Sequence, residues 1–310
     1  MYYLDLAMRL KRTLVLPRTR LVKRLPGGGS RFDPNADYIG WGDLYNVSAL
    51  SALHSVIEFD QYTELYGHQV TVHVQNVQSG CTESEDSAMV PFNGRQLQAS
   101  RTICGRGLQH QVARLQSAEL VGVESIAFGN CVDQLSLPQA LVLRPYVRFE
   151  HGVYDAAHGF VRQAFGDEPF LAIHWRRTDF LAVRRSQAGV LQSADALVAH
   201  AQRLMRRHGL SRVYLATDSD DHEELLTVEQ ALQPSRYMAG AAHDRKLTLV
   251  QKTRVANVEI AICAMADRFL GTKTSSFTLA IAEERQAVFG MTSASGSEMD
   301  DLKEEAKDEL

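Results

Sequence analysis

The 310-residue chain contains no apolar run approaching the roughly 18–20 residues that span a bilayer. Its first residues, Met1-Tyr2-Tyr3-Leu4-Asp5-Leu6-Ala7-Met8-Arg9-Leu10-Lys11-Arg12, lack the basic, apolar and small-residue order of a signal peptide and carry helical spacing instead. Cysteine is scarce: Cys81, Cys104, Cys131 and Cys263 show no CxxC and no Cys/His spacing suited to zinc, so no metal site is expected. Positive charge is not in surplus either. The net charge is −4, and residues 297–310 hold seven acids against two lysines, a balance of −5 that leaves +1 on the rest. A body so nearly neutral lacks the broad basic face of a nucleic-acid binder. Gly27-Gly28-Gly29 lacks the GK[ST] ending of a phosphate loop, so 18–37 reads as a polar connector.

What is there begins with bulk. At 45% hydrophobic residues the chain can bury a full core, and its length suits two domains. The last four residues, Lys307-Asp308-Glu309-Leu310, form the tetrapeptide read by the KDEL receptor, which returns proteins to the endoplasmic reticulum. The alternatives are chance in a tail rich in Lys, Asp and Glu, or an appended tag; as a retrieval signal it implies the lumen, where four cysteines fit two disulfides in any of three pairings. Asn46-Val47-Ser48 is then a glycosylation sequon.

Along the chain, 2–11 reads as a helix and 12–16 as a strand stopped by Pro17. Residues 56–59 and 70–74 read as further strands. The segment 76–110, rich in Ser, Gly and Gln, reads as an irregular, disulfide-tied excursion. From Pro169 the order becomes regular. A strand (170–173) precedes a helix over 194–207 with the apolar stripe Leu197, Val198, Ala201, Leu204 and Met205, stopped by Gly209. A strand (213–216), a helix (222–232), a strand (247–250), a helix (255–267), a strand (268–270), a helix (275–284) and a closing strand (287–289) follow. Such alternation predicts a parallel sheet covered on both faces.

Ligands of open α/β sheets sit beyond the carboxyl ends of the strands, and three such ends here carry polar groups. The first holds His174, Arg176, Arg177 and Asp179. Two guanidinium groups there suit an anion with paired oxygens such as a pyrophosphate; the alternative is a surface pair held by Asp179. The second holds Thr217, Asp218 and Ser219; Asp218 can accept hydrogen bonds from a ribose or base, or cap the next helix. The third runs Gly271-Thr272-Lys273-Thr274-Ser275-Ser276-Phe277, where hydroxyls at a helix start either cap the helix or help bind phosphate. Together the three ends describe a nucleoside diphosphate site without metal.

Three runs carry a family resemblance: His174-Trp175-Arg176-Arg177-Thr178-Asp179-Phe180, Val213-Tyr214-Leu215-Ala216-Thr217-Asp218, and Ile262-Cys263-Ala264 to Phe269-Leu270-Gly271-Thr272 with Ser275-Ser276-Phe277. In this order they resemble the GDP-fucose protein O-fucosyltransferases, most closely the type that modifies thrombospondin type 1 repeats. Thr13-Leu14-Val15-Leu16-Pro17, Trp41-Gly42-Asp43-Leu44-Tyr45, Val56-Ile57-Glu58-Phe59 and Glu283-Glu284-Arg285 also match.

The resemblance implies an α/β, GT-B-like fold of two Rossmann-like domains whose parallel sheets face a central cleft. Residues 1–147 would form the acceptor-side domain, 148–290 the GDP-fucose-binding domain and 291–310 an acidic tail. It implies an inverting, metal-independent transfer of fucose from GDP-fucose to Ser or Thr hydroxyls of folded, cysteine-rich repeats in the endoplasmic reticulum lumen, with no cofactor. Arg176 matches the family's arginine on the β-phosphate; His174, Asp218, Thr274, Ser275, Ser276 and Phe277 match its nucleotide contacts. The family's glycine-rich loop and acidic base lie just ahead of the first helix, so the base is expected upstream of Met1; Glu58 and Asp60 are the acids at hand in the first half. The alternative readings are an inactive lumenal sugar-nucleotide or glycoprotein-binding relative, and an α1,6-type glycan fucosyltransferase.

Overall fold

The structure, a computed structural model, describes residues 2–20, 23–24, 30–31, 38–76, 81–92, 95–105, 124–129, 141–183, 192–241, 244 and 246–291. Gly27-Gly28-Gly29, Cys131 and the KDEL tail lie outside them. The chain forms two compact units, one of residues 1–21 and 33–148 and the other of 22–32 and 149–310, so that the main boundary lies between Arg148 and Phe149.

Ahead of that boundary, helix α1 (Tyr2–Leu10) leads into β1 (Leu14–Leu16). Short pairings follow: β2 (Thr19–Arg20) with β5 (Tyr38–Ile39), and β3 (Lys23–Arg24) with β4 (Ser30–Arg31), both antiparallel. A 3-10 turn (Trp41–Asp43), α2 (Val47–Ser51), β6 (Val56–Glu58) and α3 (Phe59–Tyr66) come next, with β6 parallel to β1. The sequon residue Asn46 is the N-cap of α2, its carboxamide oxygen accepting from the Ala49 N–H. Leu4, Leu16, Leu50 and Leu143 form one core here.

The segment expected to be irregular is in large part a sheet. β7 (Gln69–Asn76), β8 (Ala88–Phe92), β9 (Arg95–Gly105) and β10 (Ile126–Gly129) lie in the order β10-β7-β9-β8, parallel except for β8 against β9. Its inward positions, Val70, Val90, Leu97, Ala99 and Ala127, pack with Phe59 of α3. Cys81 is bonded to Cys104 near the end of β9, with Cα atoms 5.8 Å apart. The second disulfide is corrected: Cys263 is a free, fully buried thiol within a helix.

Beyond the boundary, α4 (His151–Phe165) is followed by β11 (Phe170–Trp175), α5 (Thr178–Val183), α6 (Ala194–His208), β12 (Arg212–Thr217), α7 (His222–Leu232), α8 (Leu249–Met265), β13 (Arg268–Leu270) and α9 (Ser276–Ala287). The three strands form a parallel sheet, β12-β11-β13. All six residues of central β11 are buried, as a strand covered on both faces requires. The expected stripe of α6 does pack on this sheet: Leu197, Ala201 and Leu204 join Leu171, Ile173, Val213 and Leu215 in one core, with Val198 and Met205 at its margin. Gly209 ends α6 in the left-handed conformation, φ 64°.

Two expected strands are absent. Residues 247–250 instead start α8: Thr248 accepts from the Gln251 N–H, and the Gln251 side chain accepts from the Thr248 N–H, a capping box that launches a helix. Ala287 closes α9 and residues 288–289 turn toward Gly290 rather than joining the sheet. Arg285 fixes α9 against α8 by donating to the carbonyls of Cys263, Ala264 and Ala266 at the C-terminal end of α8.

Candidate functional site at the strand ends of the second unit

The register brings the three polar strand ends together. Trp175 pairs with Thr217 and Ile173 with Leu270, so the residues that follow each strand emerge along one edge. A buried hydroxyl joins two of them. Thr272 Oγ1 accepts from the Arg176 N–H at 2.9 Å and donates to the His174 carbonyl at 2.9 Å. An N–H can only donate, so the single hydroxyl proton must go to His174, and both contacts are made at once. Thr217 does similar work on the other side, donating to the Trp175 carbonyl at 2.6 Å.

The two arginines have different fates. Arg177 does not offer itself to a ligand: its guanidinium makes a two-point pair with Glu224 of α7 (Nε to Oε2 at 2.8 Å), donates to the Gln192 carbonyl and lies over the Trp175 indole, 5.0 Å from its centroid. The side chain is 8% exposed. The expectation that both guanidinium groups serve an anion is therefore corrected, because burial of Arg177 demands a full set of partners. Arg176 is the more accessible of the two, at 19%, and meets Asp218 at 3.1 Å.

Asp218 does not cap the next helix; Asp221 does, accepting from Glu223 and Glu224. Asp218 instead accepts from the Arg177 N–H at 2.7 Å and the Thr178 hydroxyl at 2.5 Å as well as pairing with Arg176. Its carboxylate thus clamps the turn after β11 and orients the Arg176 guanidinium.

His174 is buried with Nδ1 2.8 Å from Thr278 Oγ1, its ring 4.6 Å from that of Phe277. Burial drives its pKa down to about 3, with Asp218 opposing and Arg176 adding to the shift, so the imidazole is neutral. Gly271 is needed beside it: a Cβ there would collide with the Thr278 methyl. Thr274 holds a left-handed backbone, φ 61°, unusual for a β-branched residue and the kind of local strain that persists where surroundings impose it. Ser275 occupies the N-cap of α9 yet makes no side-chain capping bond. The first-turn N–H groups of α9 are thus left uncapped by Ser275 beside the Arg176 turn, and with the helix dipole they favour an anion. Ser276 opens the helix and Phe277 is half-buried.

Sequence reasoning missed Thr278 and Glu224, and named Thr272 only as one hydroxyl among several. Nothing in the spacing of Glu224 or Thr278 marks a contact 47 or 104 residues away. Among the described residues no group of three His, Cys, Asp or Glu side chains stands together as a metal site, and no helix is long and apolar enough to cross a membrane.

Comparisons with known proteins bear on the fold and on the family. The fold is similar to a crystal structure of POFUT1 in complex with GDP, with a TM-score of 0.67 over 95% of this chain and 91% of that one at 17% identity. This likeness bears on the fold, which is α/β and GT-B-like. GDP-fucose protein O-fucosyltransferase 2 of Caenorhabditis elegans is 33% identical over 130 residues, covering 41% of this chain and 28% of that protein. The Homo sapiens protein of the same name is 34% identical over 120 residues, 38% of this chain and 26% of that one. The chain thus spans about a quarter of the length of these curated relatives. The family description "GDP-fucose protein O-fucosyltransferase" matches residues 2–288, which takes in all three strand ends, and the chain belongs to that family.

Proposed function

We propose that the protein transfers fucose from GDP-fucose to serine or threonine hydroxyls of folded, cysteine-rich protein repeats, acting in the endoplasmic reticulum lumen to which its KDEL ending directs it. The resemblance to the type 2 members favours thrombospondin type 1 repeats as acceptor. The observation that carries the reading is Arg176, fixed by Thr272 and Asp218 next to an uncapped helix N-terminus.

In the reaction the acceptor oxygen bonds to the anomeric carbon as the bond from that carbon to the β-phosphate oxygen breaks. Attack from the face opposite GDP inverts the anomeric centre. Negative charge grows on the departing diphosphate, where the Arg176 guanidinium and the N-terminal N–H groups of α9 stabilise it, without a divalent ion. The hydroxyl proton passes to a carboxylate. Neither Glu58 nor Asp60 is assigned this role: Glu58 accepts the Gly42 N–H at 2.9 Å, and Asp60 is paired with both Arg18 and Arg95. Neutral His174, with Phe277, Thr274, Ser275 and Ser276, lines the nucleotide side.

The experiment incubates the protein with GDP-fucose and three acceptors, a folded thrombospondin repeat, the same repeat reduced, and an N-glycan, with and without EDTA. Fucose is expected on the folded repeat alone and regardless of chelator. Fucosylation of the glycan, or GDP-fucose binding without transfer to any acceptor, would replace this reading with one of its alternatives.

A further inference from the structure

We propose that Lys273 is a second cationic contact for the nucleotide's diphosphate, an inference that rests on the GDP-fucose reading above. It starts from a charge tally at the strand ends. Arg176 is matched by Asp218 and Arg177 by Glu224, while burial keeps His174 neutral. Asp220 and Asp221, both exposed, add negative charge after β12. An edge with this balance does not by itself attract a diphosphate bearing several negative charges.

In the three strand-end segments (174–178, 217–221 and 271–277), Lys273 is the one described cation with neither an ion pair nor a side-chain hydrogen bond. The residue is half-buried. Its position is fixed from both sides. Thr272 is stapled to His174 and Arg176, and Thr274 is held left-handed. Two residues further on lies Ser275, the N-cap of α9, whose side chain makes no capping bond to the helix. Lys273 therefore stands in the turn that leads into the anion-favouring helix end, on the strand next to the one that delivers Arg176. A lysine is a compact, mobile point charge, suited to neutralising a phosphate whose geometry the Arg176 fork already sets.

The test titrates the full chain and its Lys273→Met and Lys273→Arg variants with GDP and with GMP by calorimetry. Lys273→Met is expected to weaken GDP binding about tenfold, equivalent to about 1.4 kcal/mol. Lys273→Arg should restore most of it, and the loss for GMP should be several-fold smaller because GMP carries one phosphate. GDP affinity of Lys273→Met equal to that of the unaltered chain overturns the proposal. So does an equal loss of GDP and GMP, which marks a structural role. Failure of the unaltered chain to bind GDP at all is a different result: it overturns the nucleotide reading itself, and this proposal with it.

Discussion

Thr272→Val tests whether one hydroxyl holds the turn that aims Arg176. Valine keeps the shape and removes Oγ1, which takes the hydroxyl donor from the His174 carbonyl and the hydroxyl acceptor from the Arg176 N–H. A buried unsatisfied polar group costs about 1–3 kcal/mol, and the Arg176 group, nearer solvent, belongs at the low end. The expected loss is about 2–3 kcal/mol in total. Thr272→Ser keeps both hydrogen bonds and removes one buried methyl, worth about 0.8 kcal/mol. In a unit of this size each kcal/mol moves the melting temperature by roughly 2–4 °C. Thr272→Val should therefore melt about 5–10 °C below the unaltered protein, and Thr272→Ser only a few degrees below. Fucose transfer supplies the second readout: an Arg176 freed from its anchor should lower kcat at least tenfold in the valine variant, and serine should rescue it. Equal melting of the two variants, or full transfer by Thr272→Val, refutes the staple.

Other perturbations follow from the same geometry. Gly271→Ala drives a methyl into Thr278, which sits on His174 Nδ1; GDP affinity should fall at least tenfold by calorimetry, and unchanged affinity would show that the strand end yields freely. His174 has a pKa depressed to about 3. The unfolded chain takes up this proton as pH drops below about 6.5 while the folded one does not, so the contribution of His174 to stability is present above 6.5 and is lost progressively toward 3. Thermal melts of His174→Gln should be flatter than those of the unaltered protein across that window. Glu259 of α8, beside Tyr214, has the opposite shift: burial raises its pKa to about 8, with Arg236 opposing. The folded state keeps a proton that the unfolded chain loses above about 4.5, so stability falls as pH rises from 4.5 to 8, by on the order of 3 kcal/mol at pH 7. Glu259→Gln should raise the melting temperature at pH 8 and change it little at pH 4.5; an equal effect at both would remove the titration from the explanation.

Where a stretch had one strong period and clear ends, its structure was legible in the sequence. α6 had a 3.6-residue stripe and Gly209 after it, and the structure has its core face and stop at those residues. The mistaken strand at 247–250 shows the converse. Leu247, Leu249 and Val250 look like a short apolar strand, and the Thr248/Gln251 box that starts a helix was present but outweighed by them. In β9 the alternation of Leu97, Ala99 and Ile103 was there too, masked by intervening polar residues. At the site, the sequence revealed which strand ends carry polar groups but not how charge is divided among them. Arg176 and Arg177 are adjacent and chemically alike; only the position of Glu224 on α7 takes one out of play. Similarly, Asp218 was legible as a polar strand end, whereas its three donors lie 40 to 42 residues earlier in the chain.

The most direct test of the central claim is single-turnover transfer from GDP-fucose to a folded repeat by the protein and its Arg176→Ala variant, with GDP affinity measured alongside. Removing a preorganised group that stabilises transition-state charge costs about 10²–10³ in rate. Transfer should fall by that factor while GDP affinity falls far less. Transfer undiminished by Arg176→Ala would contradict the assignment of the strand-end arginine as the group on which the reaction depends.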